Sequence, residues 1–88
     1  PQGKPKLGIA AEAVNGTLRV DDVFPDSAAD RAGIKRGDFI LEFSGVSMSH
    51  EGALKTMKEI VRGIVGEKDI PVKLLRDGSQ VDTIIHWR

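Results

Sequence analysis

Ala32-Gly33-Ile34-Lys35-Arg36-Gly37-Asp38-Phe39-Ile40-Leu41 marks a change of structure near the middle of an 88-residue chain. Gly33 suits the left-handed exit of a short helix, and Gly37 turns the chain a second time. Asp38, placed directly after that turn, can accept from backbone N–H groups of the loop. Phe39–Phe43 follows as a strand too apolar to be half exposed, and Ser44-Gly45 breaks it. Just upstream, residues 26–33 predict a short helix. Ser27 is its cap, Asp30 sits three residues on, and Gly33 closes it.

Toward the N-terminus, Pro25 ends a strand at 17–24 in which Leu18 and Val20 face one side and Arg19 and Asp21 the other. Asn15-Gly16 is a hairpin dipeptide and joins that strand to Ile9–Val14. Before this strand stands Lys6-Leu7-Gly8-Ile9. Gly8 can take a backbone path closed to other residues, and successive N–H groups in such a turn form a nest for a carboxylate. Leu7 and Ile9 flank it with apolar walls.

Toward the C-terminus, a longer helix is expected over 50–62 with Ser49 as its cap. Its apolar residues Ala53, Leu54, Met57, Ile60, Val61 and the following Ile64 fall on one arc, with Glu51, Lys55, Lys58, Glu59 and Arg62 outside it. His50 is the polar residue within that arc. The arc is wide enough for two surfaces: Ala53, Ile60 and Ile64 toward a core, and His50, Leu54, Met57 and Val61 toward a groove. Two more strands, 70–76 and 80–87, meet at the hairpin dipeptide Asp77-Gly78. The fold class is therefore mostly β or α+β, a small antiparallel sheet capped by two helices.

Composition narrows the function. The length gives one domain, which buries roughly 60% of its unfolded surface or a little more. Thirteen basic and thirteen acidic residues cancel, which argues against nucleic acid as a partner. There are no cysteines and only two histidines, His50 and His86, so neither a disulfide framework nor a zinc motif is present. No apolar run approaches the ~20 residues of a membrane helix. Ser44, Ser47 and Ser49 lie near His50, but no Gly-x-Ser-x-Gly elbow exists and no carboxylate is placed to orient a base. Asp21, Asp22, Asp26 and Asp30 lack calcium-loop spacing. Nothing points to catalysis, a cofactor or a metal. Pro1-Gln2-Gly3-Lys4-Pro5 has the composition of a linker, so residues 1–5 are expected to precede a domain at 6–88 cut from a longer protein.

Taken together, the segments resemble a PDZ domain. Lys6-Leu7-Gly8-Ile9 looks like the family's carboxylate-binding loop, and Val23-Phe24-Pro25-Asp26-Ser27-Ala28-Ala29 like its strand-to-helix turn. The stretch 32–41 resembles its most recognisable signature, and Ser49-His50-Glu51-Gly52-Ala53-Leu54-Lys55 the start of its groove helix. The short lead before the loop and the strand at 80–87 match the circularly permuted bacterial form, found beside HtrA-type and other proteases. The resemblance implies a PDZ-like sandwich or partly open barrel of about five strands with two helices. It implies a non-catalytic module that captures C-terminal or extended peptides by strand addition between strand 9–14 and helix 50–62. The implied peptide-binding residues are Lys6, Leu7, Gly8, Ile9, Ala10, Ala11, His50, Leu54, Met57 and Val61. Leu7, Gly8 and Ile9 would hold the terminal carboxylate, with Lys6 or Lys4 assisting from outside. Leu7, Ile9, Ala11 and Met57 would line the pocket for the last side chain.

His50 matches the position where the family's histidine accepts a hydrogen bond from a ligand Ser or Thr. Such ligands are expected to bind less tightly as pH falls through about 6.5, where an ordinary histidine titrates. The isolated domain is expected to be monomeric, and its parent an extracytoplasmic bacterial protein. Two alternatives stay open. The domain can regulate or recruit substrate for a protease, or it can be a structural or oligomerisation domain with no free-peptide ligand.

Overall fold

The computed structural model describes residues 7–87. Six strands and two helices follow one another as β1 (Ile9–Val14), β2 (Thr17–Val23), α1 (Ala28–Arg31), β3 (Phe39–Phe43), β4 (Val46–Ser47), α2 (Ala53–Arg62), β5 (Lys68–Arg76) and β6 (Ser79–Trp87). All pairings are antiparallel, in the order β1-β2-β3-β5-β6, with β4 paired to β3. The sheet is open, and β1 forms one of its edges.

The expected hairpins form where the dipeptides stand. Asn15 and Gly16 have φ of 50° and 79°, Asp77 and Gly78 of 52° and 79°, the left-handed pair that matches strand twist. Ser44 and Gly45 repeat this at 56° and 81°, so they do not merely break β3: they turn it into β4. A two-residue strand carries no periodic signal, and the expected five strands become six.

Strand alternation places the core. Leu18 and Val20 are fully buried on β2, as are Ile40 and Phe43 on β3, Ile70, Val72 and Leu74 on β5, and Ile85 on β6. Met48, Ile34, Ala29 and Ala53 close it from the loops and helices. Each large buried side chain contributes roughly 1.5–3 kcal/mol. The Arg19–Glu12 pair, 3.7 Å apart with both side chains over a third exposed, is screened by solvent and adds little. Packing holds this fold.

Two details aim the site. The β1–β2 register jumps from Ala10↔Asp22 to Ala11↔Val20, so Asp21 is an extra residue on β2, and β2 bends at the bulge behind β1. The second detail is a correction: α2 begins at Ala53, three residues after the expected start. Gly52 takes φ of 84° and caps the helix with no side-chain bond, while the Ser49 N–H donates to Ser47 Oγ at 3.3 Å. A left-handed residue cannot continue a right-handed helix, so Gly52 separates His50 from α2. Ile64 lies beyond the helix end but still packs against the core.

Candidate functional site

The loop before β1 is held from below. Ser27 caps α1 by accepting from the Asp30 N–H at 3.2 Å. The Ala29 N–H donates to the Leu7 carbonyl at 3.0 Å, and the Phe24 N–H to the Gly8 carbonyl at 2.8 Å. In a trans peptide the carbonyl of one residue and the N–H of the next point in opposite directions. With the Leu7 and Gly8 carbonyls turned inward, the Gly8 and Ile9 N–H groups face away from α1 and β2. Gly8 has φ of 77°, and a Cβ there would land on Ser27 Cβ and Oγ. Glycine is required at this position for both reasons.

Beyond the loop, alternation along the antiparallel ladder turns Ile9 toward the open edge, because Gly8 on one side bonds to β2. Opposite that edge stands α2. Between them lies a groove of about 700 Å³ lined by Leu7, Gly8, Ile9, Ala10, Ala11, Leu54, Met57, Val61, Lys58 and Arg62. Leu7 and Met57 are buried at its floor, while Ile9, Ala11, Leu54 and Val61 are half-buried walls. Apolar walls beside an unpaired strand edge, with two amides at one end, can accept an extended chain and its negative terminus.

The structure brings eight of the expected residues into this lining: Leu7, Gly8, Ile9, Ala10, Ala11, Leu54, Met57 and Val61. Lys6 and Lys4 lie outside the described residues, as does the linker at 1–5. His50 is exposed and is not in the lining; its Nδ1 is 2.8 Å from the Glu51 carbonyl. Sequence reasoning missed Lys58 and Arg62. Both fall outside the apolar arc of α2, and the signal that finds them is side-chain length, since long stems reach the rim from a flanking position.

Away from the groove, Asp38 is the buried charged residue among those described, 1% exposed. Burial pushes its carboxyl up, but hydrogen bonds from Arg76 and the Lys35 N–H outweigh this and hold it below the ordinary 3.8. Arg76 Nε and Nη2 reach its two oxygens at 2.8 and 2.6 Å, and Nη2 also donates to the Gly33 carbonyl at 2.9 Å. Its role is to close the 33–38 loop onto β5.

Comparison with known proteins gives the arrangement a family. The chain is 42% identical, over 75% of its length, to a probable periplasmic serine endoprotease, DegP-like, of a Marinomonas species, and covers 13% of that protein. It is 41% identical to the periplasmic serine endoprotease DegP of Escherichia coli over 88% of this chain and 18% of that one. The chain thus spans less than a fifth of the curated relatives named here. Among solved structures, the serine endoprotease from Yersinia pestis superposes with TM-score 0.74 at 33% identity, over 92% of this chain and 27% of that chain. An HtrA-type protease solved with a decapeptide superposes with TM-score 0.77 at 25% identity, over 91% of this chain and 27% of that chain. The family model for the PDZ domain matches residues 19–76, from β2 through the Gly33–Asp38 loop and α2 to the arginine that clamps it. With the amide-lined loop and β1 in place ahead of that stretch, opposite α2 within it, the chain belongs to the PDZ domain family.

Proposed function

We propose that this non-catalytic domain captures the C-terminal or extended segment of a protein partner by adding it as a strand to β1, opposite α2. The observation that carries the reading is the β1 edge, unpaired among the described residues and ending in the outward Gly8 and Ile9 amides. The HtrA-type structure solved with a decapeptide supports it. The ligand carboxylate sits on the amides of the Leu7-Gly8-Ile9 loop, Lys6 or Lys4 assists from outside, and the last side chain enters the pocket of Leu7, Ile9, Ala11 and Met57.

Titrating the domain with peptide acids and their amides, followed by NMR, tests this. Shifts at Gly8 and Ile9 are expected for the acids and are lost for the amides. An equal response to both points to internal segments instead. No response to any peptide favours a structural or oligomerisation role. Because Ala11 is small and Met57 adaptable, Leu, Phe or Ile is preferred over Ala or Val at the last position. Leu over Ala adds three methyl or methylene groups, so a gain of about ten-fold is expected after partial burial. Equal affinity for Leu-ended and Ala-ended peptides overturns the pocket assignment.

His50 belongs to the same proposal as the residue that reads a Ser or Thr in the ligand. A carbonyl oxygen only accepts, so the contact with Glu51 places the proton of a neutral ring on Nδ1 and leaves Nε2 as acceptor. Flat affinity for Thr-containing peptides between pH 7.5 and 5.5 removes His50 from the site. The DegP relatives favour a second level of the reading: the domain recruits substrate for, or regulates, an extracytoplasmic bacterial protease. Catalytic motifs in the flanking sequence of the parent protein decide that point.

A further inference from the structure

Among the described residues, two charged side chains line the groove, Lys58 and Arg62, and both are cations. They are four residues apart on α2, hence neighbours on one face, about 5–6 Å between their Cβ atoms. Both are exposed, so the stems line the wall while the charged heads reach water. Among the described residues neither takes part in an ion pair or a side-chain hydrogen bond. Glu12, the acid on β1, faces Arg19 at 3.7 Å, and the α2 acid Glu59 is not in the lining. The groove therefore presents uncompensated positive charge beside the edge to which a strand can add.

We infer that Lys58 and Arg62 select peptides bearing an Asp or Glu side chain among the residues that lie along the groove, in addition to the chain-end carboxylate. The inference rests on the peptide-capture reading above. The remaining lining side chains are apolar and cannot tell Glu from its isostere Gln. Two cations one turn apart can converge on one carboxylate, and Arg62 can grip it with a planar fork. Exposed ion pairs are individually weak, so the expected discrimination is about three- to ten-fold. It should fade with salt, since the screening length falls from about 10 Å at 0.1 M to about 3 Å at 1 M.

The test uses an N-acetylated, Leu-ended pentapeptide that is otherwise neutral, as its acid and as its C-terminal amide, with Glu or Gln at each of the four preceding positions in turn. Dissociation constants are measured by calorimetry for the 88-residue chain and for its Lys58→Gln/Arg62→Gln variant. At one position Glu is expected to bind three- to ten-fold more tightly than Gln at 0.05 M salt. That ratio falls toward one at 1 M salt and in the double variant. Each ratio is taken within one protein, so a general loss of affinity in the variant does not disturb it. A ratio of one at every position, with binding retained, overturns the inference and leaves peptide capture standing. The same holds if the double variant keeps the Glu/Gln ratio, or abolishes only the preference for acids over amides; in the latter case the pair serves the chain end. No binding by any peptide of the set overturns both readings.

Discussion

Replacing Arg76 with alanine is expected to cost about 3 kcal/mol, lowering the melting midpoint of a domain this size by roughly 12–24 °C. The cost comes from what remains. Asp38 is 1% exposed, and without Arg76 its carboxylate keeps the Lys35 N–H at 2.9 Å as its hydrogen-bond donor. The reverse change, Asp38→Asn, is expected to cost less, about 1–2 kcal/mol, because Arg76 is 32% exposed and can turn to water. The double variant should fall short of the sum of the two.

The pH dependence has opposite signs in the two proteins. In the native chain the Asp38 carboxyl is held below 3.8. Its contribution is therefore complete above that value and is lost as pH falls through the folded-state value. In Arg76→Ala the burial effect, the largest influence on this carboxyl, is opposed only by the Lys35 N–H and the Lys35 charge and raises it, so lowering the pH toward 4 should reduce the deficit. Urea unfolding between pH 7 and 4 reads the trend in the variant, and its continuation below pH 3.8 reads the native one. A deficit that stays constant over that range would falsify the assignment of the cost to a stranded charge.

Gly8→Ala is expected to be comparably damaging, at about 3 kcal/mol, and to abolish peptide binding. Two effects combine: a side chain at positive φ costs about 1 kcal/mol, and the new methyl collides with Ser27, an overlap of about 1–3 kcal/mol. Gly16 separates them. It has φ of 79°, close to the 77° of Gly8, but nothing within 4 Å of an added Cβ. Gly16→Ala should thus lose only the conformational part. Ser27→Gly removes the obstacle and weakens the α1 cap by only a few tenths of a kcal/mol. Adding it to Gly8→Ala is expected to restore about half the lost stability, measured by denaturant midpoint. If Gly8→Ala and Gly16→Ala cost the same, the packing of this loop on α1 is not what fixes glycine there.

Local chemistry explains what the sequence shows and what it hides. β1 and both long hairpins are legible because Asn-Gly and Asp-Gly impose one turn geometry whatever surrounds them. The lining of the groove is legible because alternation on a strand and the 3.6-residue period of a helix place side chains without tertiary information. The start of α2 is not. Ser49 and His50 look like a cap and first turn, and nothing in the letters says that Gly52 will be left-handed. The partner of Asp38 is equally hidden: the loop N–H is three residues away and can be anticipated, whereas Arg76 is thirty-eight residues away. Lys58 and Arg62 escape an analysis by hydrophobic face, because that analysis assigns each residue to one side and ignores reach.

The four residues of α1 bear on where a ligand's end is seated. At the start of this helix, the Ala29 N–H holds Leu7; at its exit, the Ala32 carbonyl accepts from Thr83 Oγ1 of β6 at 2.6 Å. One helical turn, about 6 Å long, thus acts as a spacer bolted at both ends. The height of the loop proposed to seat a carboxylate is gauged from the far margin, β6, as well as from β1. The loop is thereby levelled from two walls of the sheet, as a shelf is when it is fixed to both.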